Sequence, residues 1–175
     1  MRRVRSFATS DATSAQPPTR KPGESGFLVI AYGNELRGDD GAGPEVARLL
    51  ASPPPADCEV IAVHQLTPDL AEPVSRACRL CFVDAREPDG GSDVRVEPLQ
   101  PSVPSMDLGH HTSPGAVLAI ADALYGHAPQ AWLVSVPSVS FELGLGLSAT
   151  AARGAQDAAE RIRCMARHRG TAPHA

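Results

Sequence analysis

The run Phe27 to Leu50, FLVIAYGNELRGDDGAGPEVARLL, constrains the fold more than any other stretch of the chain. Phe27, Leu28, Val29, Ile30 and Ala31 form an apolar block of strand length. Gly33 and Asn34 break it. Pro44 stands where a first-turn proline is tolerated, and Val46, Ala47, Leu49 and Leu50 then recur at helical spacing. A buried strand, a polar turn and a helix follow one another within two dozen residues. In open α/β sheets ligands gather at the carboxyl ends of strands, which is where this turn falls.

The turn excludes several ligands by its own chemistry. A dinucleotide fingerprint needs G-x-G-x-x-G after the strand, but Asn34 and Glu35 follow Gly33. A phosphate loop needs a lysine after its last glycine; this turn has none, and Asp39 and Asp40 would repel phosphate. The calcium-loop pattern is also missing. What remains is a cation, a proton transfer, or a helix capped by Asp39 or Asp40 with glycines supplying positive φ angles.

The rest of the chain repeats the alternation. Pro53-Pro54-Pro55 stops the first helix, and Cys58 to Val63 reads as a second strand. Thr67 and Pro68 open a short helix with Leu70, Ala71 and Val74 inward, limited by Pro73. Leu80 to Val83 is a buried strand ending in Asp84, which puts a second acid at a strand's carboxyl edge. Val94 to Leu99 alternates and contains Pro98, as suits an edge strand. Ser113 and Pro114 begin a helix with Val117, Leu118, Ile120, Ala121 and Leu124 on one stripe. Trp132 to Val136 is the last central strand. Ser148 caps a final helix in which Ala152, Ala155, Ala159, Ile162 and Met165 face the sheet.

This pattern predicts an α/β fold: a three-layer sandwich with a mixed, mostly parallel central sheet flanked by helices on both faces. At 175 residues and 42% hydrophobic content the chain makes one domain with a real core. We place it at residues 26–168. Residues 1–25, rich in Ser, Thr, Ala and Pro and lacking apolar periodicity, read as a disordered N-terminal extension, and 169–175 as a flexible tail. A net charge of −4 and a pI near 5.8 argue against nucleic acid as partner. No apolar run reaches the roughly 20 residues that span a bilayer, so a cytoplasmic protein is expected. Four cysteines are too few and scattered for a disulfide scaffold, and Cys78-x-x-Cys81 has no second pair to complete a zinc site. They read as small buried thiols.

Residues 101–114 form a loop too long to be idle in a compact domain. It holds His110 and His111 just before a helix N-terminus, whose dipole disfavours an added proton and keeps imidazole free to bind a metal. Asp40, Asp84 and His110 all come from loops or strand ends. If they converge, two carboxylates and an imidazole suit nickel or zinc.

The stretch GNELRGDDGAG resembles the opening motif G-N-x-L-x-x-D-[DE]-G-x-G of the hydrogenase maturation endopeptidases, with Gly33, Asn34, Leu36, Asp39, Asp40, Gly41 and Gly43 on the pattern. The likeness extends through Val83-Asp84-Ala85, the H-x-x-S-P of His110, Ser113 and Pro114, and the stretch Val134 to Ser148. Coverage runs from about residue 27 to residue 165. The resemblance implies removal of a C-terminal extension from the large-subunit precursor of a nickel–iron hydrogenase, once that partner carries nickel. It implies that Asp40, Asp84 and His110 contact the metal and act in catalysis, His110 rather than His111 having the family's spacing to Ser113-Pro114. Gly33, Asn34, Asp39 and His111 are expected to touch substrate. The nickel arrives with the substrate, and no organic cofactor is implied. Some members carry glutamate at the position of Asp40. Neither G-x-S-x-G nor H-E-x-x-H occurs, which fits a protease that borrows its substrate's metal. The same ligands would serve a non-cleaving nickel checkpoint module, and another hydrolase on a similar scaffold is a further alternative.

Overall fold

The computed structural model describes residues 26–87, 89, 91–102 and 112–167. The expected N-terminal extension, His110, His111 and the C-terminal tail lie outside the described residues. Five strands form one sheet: β1 (Phe27–Tyr32), β2 (Cys58–Val63), β3 (Arg79–Arg86), β4 (Arg95–Leu99) and β5 (Gln130–Pro137). Four helices accompany them: α1 (Ala42–Leu50), α2 (Ala71–Ser75), α3 (Pro114–Tyr125) and α4 (Ala149–Arg167). The strand order is β2-β1-β3-β5-β4. The first four are parallel, and β4 runs antiparallel at the edge, where Pro98 faces Trp132 without interrupting an inner ladder.

The sheet is covered on both sides, which is why its inner strands are apolar without alternation. On one face Phe27, Val29, Ala31, Cys81, Val83, Trp132, Val134 and Val136 pack against α1 and α4. On the other, Leu28, Ile30, Leu80 and Phe82 pack against α2 and α3. The three-layer sandwich expected from the sequence is the fold observed.

Several local expectations are corrected. β3 does not stop at Asp84 but continues to Arg86, pairing Asp84 with Ser135. Thr67 has the extended backbone of an N-cap, yet its side chain caps nothing. The chain makes a 3-10 turn at Pro68–Leu70 before the five-residue α2. Leu124 is exposed, and the buried stripe of α3 ends at Ala121. In α4 the buried stripe takes Ala151 instead of Ala152. Cys81 is buried as expected, whereas Cys78 and Cys164 are exposed.

Ser113 Oγ accepts the Ala116 N–H at 3.2 Å, so α3 begins as its sequence dictates. Ser148 Oγ accepts the Ala151 N–H at 3.1 Å and opens α4 in the same way. Gly154 lets α4 lie close on the end of β5, since a Cβ there would stand 2.7 Å from Pro137 Cδ. Among the described residues no helix is long and apolar enough to cross a membrane.

Candidate functional site

The chain leaves β1 for β2 on one side and then returns to lay β3 on the other. The carboxyl ends of β1 and β3 therefore flank the switch point of the sheet, the crevice where open α/β folds bind ligands. The β1–α1 turn folds over this crevice. Gly33, at φ +141°, accepts the turn because a Cβ there would collide with the Asp40 carbonyl. Gly43 lets α1 start directly against β1, where a Cβ would meet the Tyr32 carbonyl. Asn34 Oδ1 accepts the Leu36 N–H at 2.9 Å, and the Asn34 N–H donates to Asp40 Oδ2 at 3.1 Å. Neither aspartate caps a helix through its side chain.

Asp39 and Asp40 separate completely in environment. Asp39 is only 2% exposed. Its Oδ1 accepts the Ser148 N–H at 2.6 Å, and its Oδ2 accepts the Val139 N–H at 2.7 Å and the Ser148 hydroxyl at 2.8 Å. Burial acts to raise its pKa, but these donors outweigh it and hold the carboxyl below its ordinary value. Asp39, expected to touch substrate, is a tie between the first turn and the segment leading into α4. That segment runs beside the turn: Gly38 N–H donates to the Gly144 carbonyl at 2.9 Å and Gly144 N–H to the Leu36 carbonyl at 3.0 Å. Leu36, Val139, Leu143 and Leu145 stand exposed along the paired segments.

Asp40 is half-buried and lies near enough to Asp84 and Tyr32 for its charge to act on both. Asp84 shares the α2/α3 face of β3 with Leu80 and Phe82, two residues beyond the apolar core. Burial pushes its carboxyl up to about 6. The Tyr32 hydroxyl and the Ala85 N–H, both donating to it, work against the rise, and the charges of Asp40 and Glu87 add to it. Among the described residues no Arg or Lys makes an ion pair with either carboxylate. Two acids held together without a cation form a place where a positive ion is stabilised. Carboxylate oxygens alone suit hard cations, and nickel or zinc would call for an imidazole beside them. No three His, Cys, Asp or Glu side chains assemble into a metal cluster among the described residues, which do not include His110 and His111.

Tyr32 is the site residue that the sequence reading missed. It ends β1 and lies on the same face as Leu28 and Ile30; in parallel register Ala31 sits opposite Val83, so Tyr32 and Asp84 are the next cross-strand neighbours. Burial, the Asp84 charge and hydrogen bond, and the Asp40 charge all raise its pKa, so the phenol remains a donor. The only signal in the sequence was a hydroxyl-bearing aromatic closing an otherwise aliphatic strand. Gly33 and Asn34, expected to touch substrate, line a cleft of about 360 Å³ with Glu35, Leu36, Val63 and His64.

Beyond the crevice, Arg86 Nη1 donates to the Asp93 carbonyl at 3.0 Å and Nη2 to Asp89 Oδ1 at 3.2 Å, fastening the loop that follows β3. The Ser138 hydroxyl donates to the Arg86 carbonyl, joining that loop to the end of β5.

The fold is that of the solved hydrogenase maturation peptidases. The HycI maturation protease of Thermococcus kodakarensis superposes with a TM-score of 0.64 at 20% identity, over 84% of this chain and 96% of that one. HybD, the hydrogenase maturating endopeptidase of E. coli, gives 0.62 at 20% identity, over 78% of this chain and 89% of its own. The hydrogenase 2 maturation peptidase of a thaumarchaeote gives 0.58 at 23% identity, over 79% and 95%. No family model and no curated sequence matches the chain.

Proposed function

We propose that this chain is a hydrogenase maturation endopeptidase that removes the C-terminal extension from a nickel-loaded nickel–iron hydrogenase large-subunit precursor. The observation that carries the reading is the pair Asp40 and Asp84, near enough for one charge to act on the other and without an ion pair to Arg or Lys among the described residues, at the switch point of a sheet shared with the maturation peptidases. The motif GNELRGDDGAG supplies the first of these residues on the family's spacing.

In this reading Asp40, Asp84 and His110 ligate the nickel ion that the precursor brings, which sets the scissile bond against the crevice. A metal-bound carbonyl is a better electrophile, and a metal-bound water loses its proton near neutrality. Asp84 serves as the general base through the carboxylate oxygen that the metal leaves free. It accepts a proton from the attacking water as the carbon–oxygen bond forms. It returns that proton to the leaving amine as the carbon–nitrogen bond breaks. Gly33 and Asn34 border the cleft beside the turn, and the exposed Leu36, Val139, Leu143 and Leu145 offer apolar surface to the client next to the crevice. All four cysteines are free, in keeping with action in the reducing cytoplasm.

The test is single-turnover trimming of the nickel-loaded precursor by the wild type and by D40A, D84A and H110A at saturating enzyme. Loss of about two to four orders of magnitude in rate is expected for D84A, the scale of a lost general base. Unchanged rates in all three variants would refute the assignment of these residues.

A further inference from the structure

We infer that Tyr32 is the positioning residue of the metal site: its hydroxyl fixes the orientation of the Asp84 carboxylate without neutralising it. The inference rests on the nickel-docking reading above and adds to it a residue outside the motif. Tyr32, the last residue of β1, and Asp84, within β3, follow the paired Ala31 and Val83 of two adjacent parallel strands, on one face of the sheet. Cross-strand neighbours in that register lie about 5 Å apart, within reach of a phenol. The Tyr32 hydroxyl donates to the Asp84 carboxylate, and the Ala85 N–H donates to it as well.

A carboxylate has about four lone-pair sites. Two donors fix its plane and leave the remaining sites for a metal. A free carboxylate would lose that rotational freedom at the moment of ligation. The identity of the outer donor matters too. An arginine in its place would cancel the charge that attracts the cation, whereas a phenol orients the group and leaves the pair Asp40–Asp84 net negative. Outer partners of metal ligands commonly contribute 10- to 100-fold in metal affinity or activity.

Tyr32→Phe keeps the ring against the core on the α2/α3 face and deletes only the hydroxyl. Nickel ion alone is titrated calorimetrically into the full chain as wild type, Y32F and D84N, and metal-free melting temperatures are recorded in parallel. The expected result is a roughly 10- to 100-fold weaker nickel affinity for Y32F, with a loss at least as large for D84N. A purely structural tyrosine would lower the melting temperature and leave the nickel affinity alone. Y32F affinity within twofold of wild type, with D84N impaired, would overturn the inference and leave the docking reading standing. D84N binding nickel as well as wild type, or a wild type that binds none, would overturn the inference, while the docking reading is decided separately by the single-turnover trimming rates of D40A, D84A and H110A.

Discussion

Asp39 and Asp40 are neighbours in the chain with opposite duties. Asp39 spends both oxygens on Ser148 and Val139 and locks the first turn to the start of α4. Asp40 accepts one backbone N–H and turns its charge toward Asp84 and Tyr32. In D39N the amide nitrogen must face at least one donor, so we expect a loss of about 3 kcal/mol at pH 7, the scale of a hydrogen bond to a charged group plus an unpaired donor. The sign of the pH effect follows from the lowered pKa. The Asp39 contribution is complete above the ordinary carboxylate value of about 3.9 and disappears as pH falls through the lower folded value. Urea titrations of both proteins should therefore converge as pH is lowered below about 4. A constant gap down to pH 2 would contradict this role. The sequence could not divide the two acids, because the partners that bury Asp39 lie some hundred residues away. For the same reason Tyr32 was invisible: its partner is on another strand. The places of Asp40 in the first turn and of Asp84 on β3 were legible through motif and strand pattern, which are local.

The elements themselves follow local rules. Ser113 and Ser148 cap α3 and α4, Pro114 and the apolar stripe set the course of α3, and Pro98 marks the edge strand. Where neighbours intervene, the reading fails: β3 extends through Asp84 to Arg86 because β5 offers it a ladder that far. Two glycines separate the kinds of constraint at this scale. Gly43 has an ordinary helical place, but a Cβ would run into the Tyr32 carbonyl. G43A must push α1 away from β1, at a cost of about 1–3 kcal/mol, and with it the turn that carries Asp40. Gly126, at φ +72° beyond α3, has open space around it, so G126A carries only the left-handed backbone penalty of about 1 kcal/mol. We expect G43A to impair nickel binding and G126A to leave it unchanged, as judged by calorimetry. Equal nickel affinity in both would mean that α1 does not set the site.

At the scale of the whole molecule, alternating strands and helices announced a layered α/β domain, and the apolar blocks at 27–31 and 80–83 announced buried strands. The order β2-β1-β3-β5-β4 was not legible, since many orders bury the same blocks. Yet that order makes β1 and β3 neighbours and so brings Asp40 to Asp84 across more than forty residues of chain. Function at this scale is a property of the crevice and of what docks on it. The most direct test incubates the purified full chain with a hydrogenase large-subunit precursor, nickel-loaded or nickel-free, and reads the client's C-terminus by intact mass. The account predicts trimming at one bond with nickel and none without it. Nickel-dependent complex formation without trimming, or trimming that ignores nickel, would contradict it.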